Sequence, residues 1–428
     1  SVYDGGAVGL RMWMLVLEVI VAHILFVSPY YPPEKAAAAV CVSENARRLV
    51  QLGHRVTVLT TFPNYPTGRV PLAYRGTRYR WEMLDGVRIL RVWSYTSANK
   101  GFWLRLLAHL SFGLLVPLLA ANKLPRPDCL IVQSPPLFDA IAARILSTLK
   151  RCRFVFMVSD LWPEAAVQLG VLRHPLLIAL AEWLERSTYR RADLVWAVTA
   201  QMQQALRERG VPAERVCLIP NGVDTLKFAP RSRADARRTL GWDERFTVLY
   251  MGTHGLSHGL RHVLHAAALL QQQPAIRLLL IGDGAEKSAL LALAHQLKLP
   301  NVEFMDPVPH EQVPLYLAAA DICLAHTRNL PLFRGMLPIK LLEAMACARP
   351  VILALNGEAC VLAVHEAHAA VHVEPENAAA LAAAILQLYE QPELAQALGE
   401  HGRAYVVAHF SYDMLVVRLN EQLDRLLL

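Results

Sequence analysis

TVLYMGTHGLSHGLRHVLHAAALL, residues 247–270, is the stretch that decides the fold. A short β-branched and aliphatic run, Thr247 to Met251, gives way to a turn punctuated by Gly252, Gly255 and Gly259, and then to a helical pattern from Leu260 to Gln273. Strand, glycine turn and helix in that order are the start of a βαβ unit. The glycines let the backbone approach a ligand, and the start of the helix offers free N–H groups and a favourable dipole. Gly252, Thr253, His254, Gly255, His258 and Gly259 are therefore candidates for holding a diphosphate. The competing reading is a turn that only needs positive φ. Taken alone, His254 and His258 would be surface histidines.

The same alternation runs outward in both directions. Downstream, Arg277 to Ile281, Val302 to Met305, Ile322 to Ala325, Val351 to Leu355 and Ala370 to Val373 read as strands, with helices over Ala285 to Lys298, Ile339 to Ala346 and Ala378 to Glu390. Gly282, Asp283 and Gly284 follow the second of these strands and either line a nucleotide or simply cap the next helix. Upstream, strands are expected at His23 to Ser28, Arg55 to Thr60, Val87 to Trp93, Cys129 to Gln133, Phe154 to Val158, Leu194 to Val198 and Val216 to Ile219. The helices expected between them include Glu44 to Gln51, Leu137 to Leu149 and Pro175 to Ala192. Short buried strands alternating with helices imply an α/β fold with parallel sheets covered on both faces. Two series mean two facing Rossmann-like domains with a cleft between them. The expected division is a leader at 1–22, an acceptor-binding domain at 23–225, an exposed linker at 226–243, a nucleotide-sugar domain at 244–408 and an amphipathic helix at 409–428 that could pack on either domain.

Length and composition agree, since 428 residues with 54% apolar character exceed what one core usually holds. The net charge of +7 is uneven: residues 1–230 carry 27 Lys and Arg against 16 Asp and Glu, and the remainder 16 against 20. A basic half faces nucleic acid, an anionic membrane or a phosphorylated substrate. No aromatic-and-basic nucleic-acid motif is present, so no nucleic-acid partner is expected. Seven scattered cysteines without a C-x-x-C pair fit a reducing, cytoplasmic compartment. The apolar runs Met12 to Val27 and Leu106 to Ala121 are interrupted by Glu18 and His23, and by His109, Gly113 and Pro117, and fall short of about 20 residues, so neither is expected to span a membrane.

Chemistry concentrates in two places. Arg334-Gly335-Met336-Leu337-Pro338-Ile339-Lys340-Leu341-Leu342-Glu343 puts Pro at a first helical turn and Lys340 and Glu343 on one face. A carboxylate can accept two hydrogen bonds from a ribose diol while a cation neutralises a pyrophosphate; the alternative is a solvated ion pair. In the first half, Val158-Ser159-Asp160-Leu161-Trp162-Pro163-Glu164 follows a buried-looking strand, and Asp160 can orient or deprotonate a hydroxyl, or cap a helix. Tyr31, Lys35, Ser134 and Trp162 on the same rim are expected to shape an acceptor pocket. Without a D-x-D pair, an H-x-x-x-H helix pair or a G-x-S-x-G elbow, no metal, cofactor or enzyme nucleophile is expected. Helix dipoles and basic side chains must then stabilise the leaving diphosphate.

These motifs resemble the retaining family 4 glycosyltransferases of GT-B fold, and among them the WbuB-like surface-polysaccharide group. The landmarks are SPYYPPEK (28–35), GHRVTVLTTFPNYPTG (53–68), SPPL (134–137), DLWPE (160–164), IPNGVD (219–224) and PIKLLEAMA (338–346). The resemblance makes Glu343 the second glutamate of an E-x7-E motif, which holds the donor ribose; Gly335 stands where the first would be. Thr253 or His254, and His258, occupy the places of the family's Arg and Lys pair, leaving Lys340 and Arg334 to supply charge. Asp160 is nearest to the family's catalytic-base-like histidine. The resemblance implies front-face displacement with retention, a UDP-sugar donor and a polyprenyl-diphosphate-linked acceptor. Residues 101–124, with Arg105 and Lys123, then either lie at the inner membrane face as a peripheral contact or form an ordinary helix covering the sheet. Two other functions fit the same architecture: a UDP-sugar 2-epimerase, which would convert its nucleotide sugar without an acceptor, and an inactive scaffold, which would not bind UDP.

Overall fold

In the computed structural model the alternating runs form two sheets built one after the other along the chain. The structure describes residues 21–34, 36–65, 67–97, 102–168, 170 and 172–428. Nearly all of the expected leader, and Lys35, lie outside the described residues.

The first sheet contains β1 (His23–Val27), β2 (Arg55–Thr61), β3 (Tyr79–Leu84), β4 (Val87–Val92), β5 (Cys129–Ser134), β6 (Arg153–Val158), β7 (Leu194–Ala197) and β8 (Val216–Leu218). Its order is β3-β4-β2-β1-β5-β6-β7-β8, parallel throughout except for the β3–β4 hairpin at one edge. Every residue of β1 is buried, because helices cover both faces of a parallel sheet. Those helices are α1 (Ala37–Gln51), α2 (Phe102–Ala120), α3 (Asp139–Lys150), α4 (Glu164–Gln168), α5 (Pro175–Arg191) and α6 (Ala200–Glu208).

The second lobe opens with α7 (Arg233–Leu240) and has an all-parallel sheet of β9 (Phe246–Met251), β10 (Ile276–Ile281), β11 (Val302–Met305), β12 (Ile322–His326), β13 (Val351–Ala354) and β14 (Ala370–His372), in the order β11-β10-β9-β12-β13-β14. The helices α8 (Arg261–Leu269), α9 (Lys287–Gln296), α10 (Val313–Ala319), α11 (Ile339–Ala346), α12 (Ala378–Glu390) and α13 (Pro392–His409) surround it, and α14 (Tyr412–Leu427) ends the chain. The strand order reverses between β1 and β5 in one sheet and between β9 and β12 in the other. Ligands bind at such switch points, outside the carboxyl ends of the strands.

Two features depart from the sequence reading, and a third decides a choice it left open. The stretch 226–243, expected as an exposed linker, holds α7: Ser232 caps it, and Arg237 inserts beside Asp321, both side chains 3% exposed. Burial of that pair and packing on α10 make the segment part of the second lobe's framework. Strand β3 was not expected, since its residues are exposed or half-buried and carry no buried stripe. Finally, α14 packs on the first lobe, where Leu415, Val416, Leu419 and Leu423 join that lobe's core. The chain thus crosses between lobes twice. The crossings are tied together by Val223 N–H to Phe410 C=O at 2.9 Å and by Arg48, which pairs with Asp413 at 2.6 Å and with Asp224 at 3.5 Å and lies 4.9 Å from the Tyr412 ring centre.

Candidate functional site

The second lobe holds a cavity of about 550 Å³ at the carboxyl ends of β9, β10 and β12, lined at its base by Leu249, Ile281 and Cys323. Gly252, Thr253, His258, Gly282, Asp283, Lys340 and Glu343 all line it. Seven candidates from three separate sequence segments therefore meet at one switch point.

Lys340 is the cation of this cavity. It projects from the first turn of α11, donates to the Tyr250 hydroxyl at 3.0 Å and stands 4.2 Å from the centre of that ring. Tyr250 in turn donates to the Thr253 carbonyl at 2.9 Å, so the ammonium and the glycine turn are held by one hydroxyl. Burial lowers the Lys340 ammonium to about 8, with the Glu343 carboxylate opposing that shift. A cation held this way, beside a glycine turn and the start of a helix, suits an anion that replaces the lost water.

Glu343, one turn along α11, meets His310 at 3.0 Å (Oε1 to Nε2), and His310 Nδ1 meets Lys227 Nζ at 2.8 Å. An ammonium only donates, so Nδ1 accepts and the imidazole proton sits on Nε2, aimed at Glu343. One carboxylate oxygen is thereby fixed, and the rest of the group is left to receive ligand hydroxyls. His310 and Lys227 were missed in the sequence: His310 lies in the irregular DPVPHEQ stretch at 306–312, and its contact spans 33 residues. No local pattern carries such a pairing.

The turn requires its glycines. Gly252 has φ +143, and a Cβ there would lie 2.7 Å from Lys340 Nζ; Gly282 has φ +154, and its Cβ would lie 1.8 Å from the Gly252 carbonyl oxygen. Gly252→Ala is expected to destabilise the lobe by about 1–3 kcal/mol and to push the ammonium aside. If the cavity takes the UDP that the resemblance implies, thermal unfolding with and without UDP tests this: the variant's ligand-induced rise in Tm should shrink well below the wild-type value, and an undiminished rise would contradict the placement of Lys340.

Other candidates serve differently from the expectation. His254 is fully buried, with neither ring nitrogen hydrogen-bonded among the described residues, and packs between the Tyr250 and Phe304 rings. Its backbone joins the two glycine loops, with N–H to Asp283 C=O at 2.8 Å and C=O from Glu286 N–H at 2.9 Å. Burial lowers its imidazole, and lowers that of His258 to about 4, so both are neutral near pH 7 and bring no charge. Gly255, Gly259 and Gly284 shape the loops without lining the cavity. Arg334, Gly335, Met336 and Leu337 also stay off its wall: Met336 and Leu337 pack on the core, and Gly335 faces Gln201 of α6 across the lobes. Sequence proximity to Lys340 misled here because a 3-10 turn, Pro331–Gly335, carries these residues towards the lobe contact. Beside them, Glu358 accepts from Ala200 N–H at 2.6 Å and Gln201 N–H at 2.8 Å, so a second-lobe carboxylate caps a first-lobe helix.

In the first lobe, Asp160 and Trp162 line a second cavity of about 850 Å³ with Tyr30, His109, Pro135, Pro136 and Arg144. Although Asp160 is open to that cavity, the protein around it keeps it poorly solvated and pushes its carboxyl up to about 6. Tyr31 does not face the cavity. It is 1% exposed in the core, and its neighbour Tyr30 takes the lining position. Ser134 is likewise buried as the last residue of β5, its carbonyl accepting from Ser159 N–H at 2.8 Å. A single residue's shift along an extended segment turns a side chain from rim to core.

Comparison with known proteins bears on this arrangement. Residues 36–222 match the family model described as "Glycosyl transferase 4-like domain", and residues 232–405 match "Glycosyl transferases group 1". The putative colanic acid biosynthesis glycosyl transferase WcaI of Escherichia coli is 30% identical, over 85% of this chain and 91% of WcaI. A GDP-mannose-dependent monoacylated alpha-(1-6)-phosphatidylinositol monomannoside mannosyltransferase of Corynebacterium glutamicum is 27% identical, over 62% of this chain and 76% of that protein. Among solved structures, Anabaena HepE in complex with UDP superposes with a TM-score of 0.69 at 19% identity, covering 94% of this chain and 100% of HepE.

Proposed function

The chain belongs to the group 1, family 4-like glycosyltransferases of GT-B fold, and from that premise we propose that it moves a sugar from a UDP-sugar to a lipid-linked glycan, with retention of anomeric configuration, in surface polysaccharide synthesis. The observation that carries the reading is the convergence of Gly252, Lys340 and Glu343 on one cavity at a switch point. The diphosphate rests on the glycine turn, the start of α11 and Lys340, and the ribose diol on Glu343. Support for the donor class comes from the UDP held by HepE, and for a lipid acceptor from the phosphatidylinositol mannoside named for the corynebacterial relative. The name of WcaI points to an envelope polysaccharide.

In the transfer, the bond between the sugar's anomeric carbon and the diphosphate oxygen breaks and a bond to the acceptor hydroxyl oxygen forms on the same face. The hydroxyl proton goes to the departing diphosphate oxygen or to Asp160, and Lys340 balances the charge left on the diphosphate. Closure of the lobes, with Glu358 seated on α6, excludes water that would otherwise hydrolyse the donor. Among the described residues no helix is long and apolar enough to cross a membrane; the enzyme works as a peripheral protein at the inner membrane face, where the basic first lobe meets anionic lipid.

A panel of UDP- and GDP-sugars with a polyprenyl-diphosphate-linked glycan tests the proposal. Acceptor-dependent release of UDP with a retained linkage is expected; conversion of the nucleotide sugar without acceptor would show an epimerase instead. The pH dependence tests Asp160 separately. If its ionised form receives or orients the hydroxyl, kcat/KM declines as pH falls through about 6. Asp160→Asn should lower the rate by about 10²-fold or more and remove that acidic limb; a variant that keeps the limb would exclude Asp160 from the step.

A further inference from the structure

Resting on the reading of the acceptor as lipid-linked, we infer that the first lobe carries a dedicated site for the isoprenoid chain and first phosphate of that lipid, in the cavity that extends from Asp160 and Trp162 between α2, α3 and α5. The cavity measures about 850 Å³, within the range of small-molecule sites. Its walls are aliphatic: Leu106 and Leu110 from α2, Ile141 and Ile145 from α3, Leu177 and Leu184 from α5. Its outer lip is apolar too, with Leu180 57% and Trp183 58% exposed. Apolar surface left in contact with water is a standing cost that burial of a hydrocarbon chain removes.

Among the described residues of this lining, one is a cation. Arg144 on α3 is anchored by a hydrogen bond to Ser187 Oγ at 2.6 Å, and among the described residues it forms no ion pair. A guanidinium fixed in an apolar wall without a carboxylate partner is matched by an anion with several acceptor oxygens, for which phosphate is well suited. Hydrocarbon walls, one fixed cation, Asp160 and Trp162 therefore line one cavity, and together they supply the contacts that a chain, a phosphate and a glycan each require. A planar bilayer would touch the lip residues but could not fill the depth between the helices. The residues at the lip explain how a chain passes from the membrane into the protein.

The test is calorimetry on the full chain with farnesyl phosphate, geranyl phosphate, farnesol and inorganic phosphate, with UDP titrated in parallel. Each methylene placed in the cavity tightens binding by about fourfold, so farnesyl phosphate should bind at least about tenfold tighter than geranyl phosphate or inorganic phosphate. Ala181→Trp, which fills the cavity, should weaken it by about tenfold or more. Leu180→Gln, at an exposed position that cannot unfold the lobe, should weaken it severalfold, and Arg144→Gln should erase the advantage of farnesyl phosphate over farnesol. UDP binding should be unchanged in all three variants. Equal binding of the two prenyl phosphates, or indifference to both Ala181→Trp and Leu180→Gln, would overturn the site. So would displacement of farnesyl phosphate by phosphatidylglycerol vesicles together with loss of the chain-length dependence, because the lip would then be only a bilayer contact. Failure of the wild-type chain to bind UDP would overturn the donor reading and leave the chain site standing. Transfer to a water-soluble glycan as fast as to its lipid-linked form would overturn the lipid reading and the site together.

Discussion

Glu343→Gln is expected to lower kcat/KM for the nucleotide sugar by about 10²–10³-fold while leaving the fold intact. Two hydrogen bonds from a ribose diol to a carboxylate are charge-assisted and contribute about 1.5–2 kcal/mol each. The glutamine keeps the shape but inverts half of the chemistry. His310 offers an Nε2–H at 3.0 Å, so the amide must turn its oxygen to the histidine and its NH₂ to the ligand. The diol then meets a donor where it needs an acceptor. Calorimetry with UDP should show the same loss as the kinetics, because the contact is made before and during transfer alike. A variant that binds UDP normally but turns over slowly would instead place Glu343 near the sugar.

Lys340→Met should act mainly on turnover, with a fall of about 10²–10³-fold in kcat, because the leaving diphosphate gathers its full charge only as the bond to the sugar breaks. The wild-type pH profile should carry the same information. In the free enzyme the ammonium is held near 8 by burial. Below that value the group is charged and meets the donor; above it the group is neutral, so kcat/KM should decline on the alkaline side with an apparent pKa near 8. The bound diphosphate favours the charged form, so the limb in kcat should move to higher pH. Lys340→Arg should lack the limb, since a guanidinium does not deprotonate in this range. An alkaline limb that persists in Lys340→Met would belong to another group.

The elements that carry these residues were readable because their signals are local. The strand, glycine turn and helix at 247–270, and the Pro-led helix with Lys340 and Glu343 on one face, follow from periods of 2.0 and 3.6 residues and from the steric freedom of glycine. What the sequence could not give depends on packing between distant segments. His310 reaches Glu343 from an irregular loop, Tyr30 rather than Tyr31 faces the first-lobe cavity, and Arg144 acquires its role only once α2, α3 and α5 surround it. The same holds for the stretch before β9: its charges read as solvated, yet Arg237 is buried against Asp321. Charge density within a segment does not reveal which of its side chains finds a partner.

On the proposed function, one cavity of the second lobe holds the nucleoside diphosphate. A crystal structure of the chain with UDP tests it most directly. The diphosphate should lie within hydrogen-bond distance of Lys340 Nζ and the backbone N–H groups of the 252–258 turn, with the ribose hydroxyls on Glu343. UDP seated elsewhere, or in this cavity with its phosphates turned away from Lys340, would contradict the account.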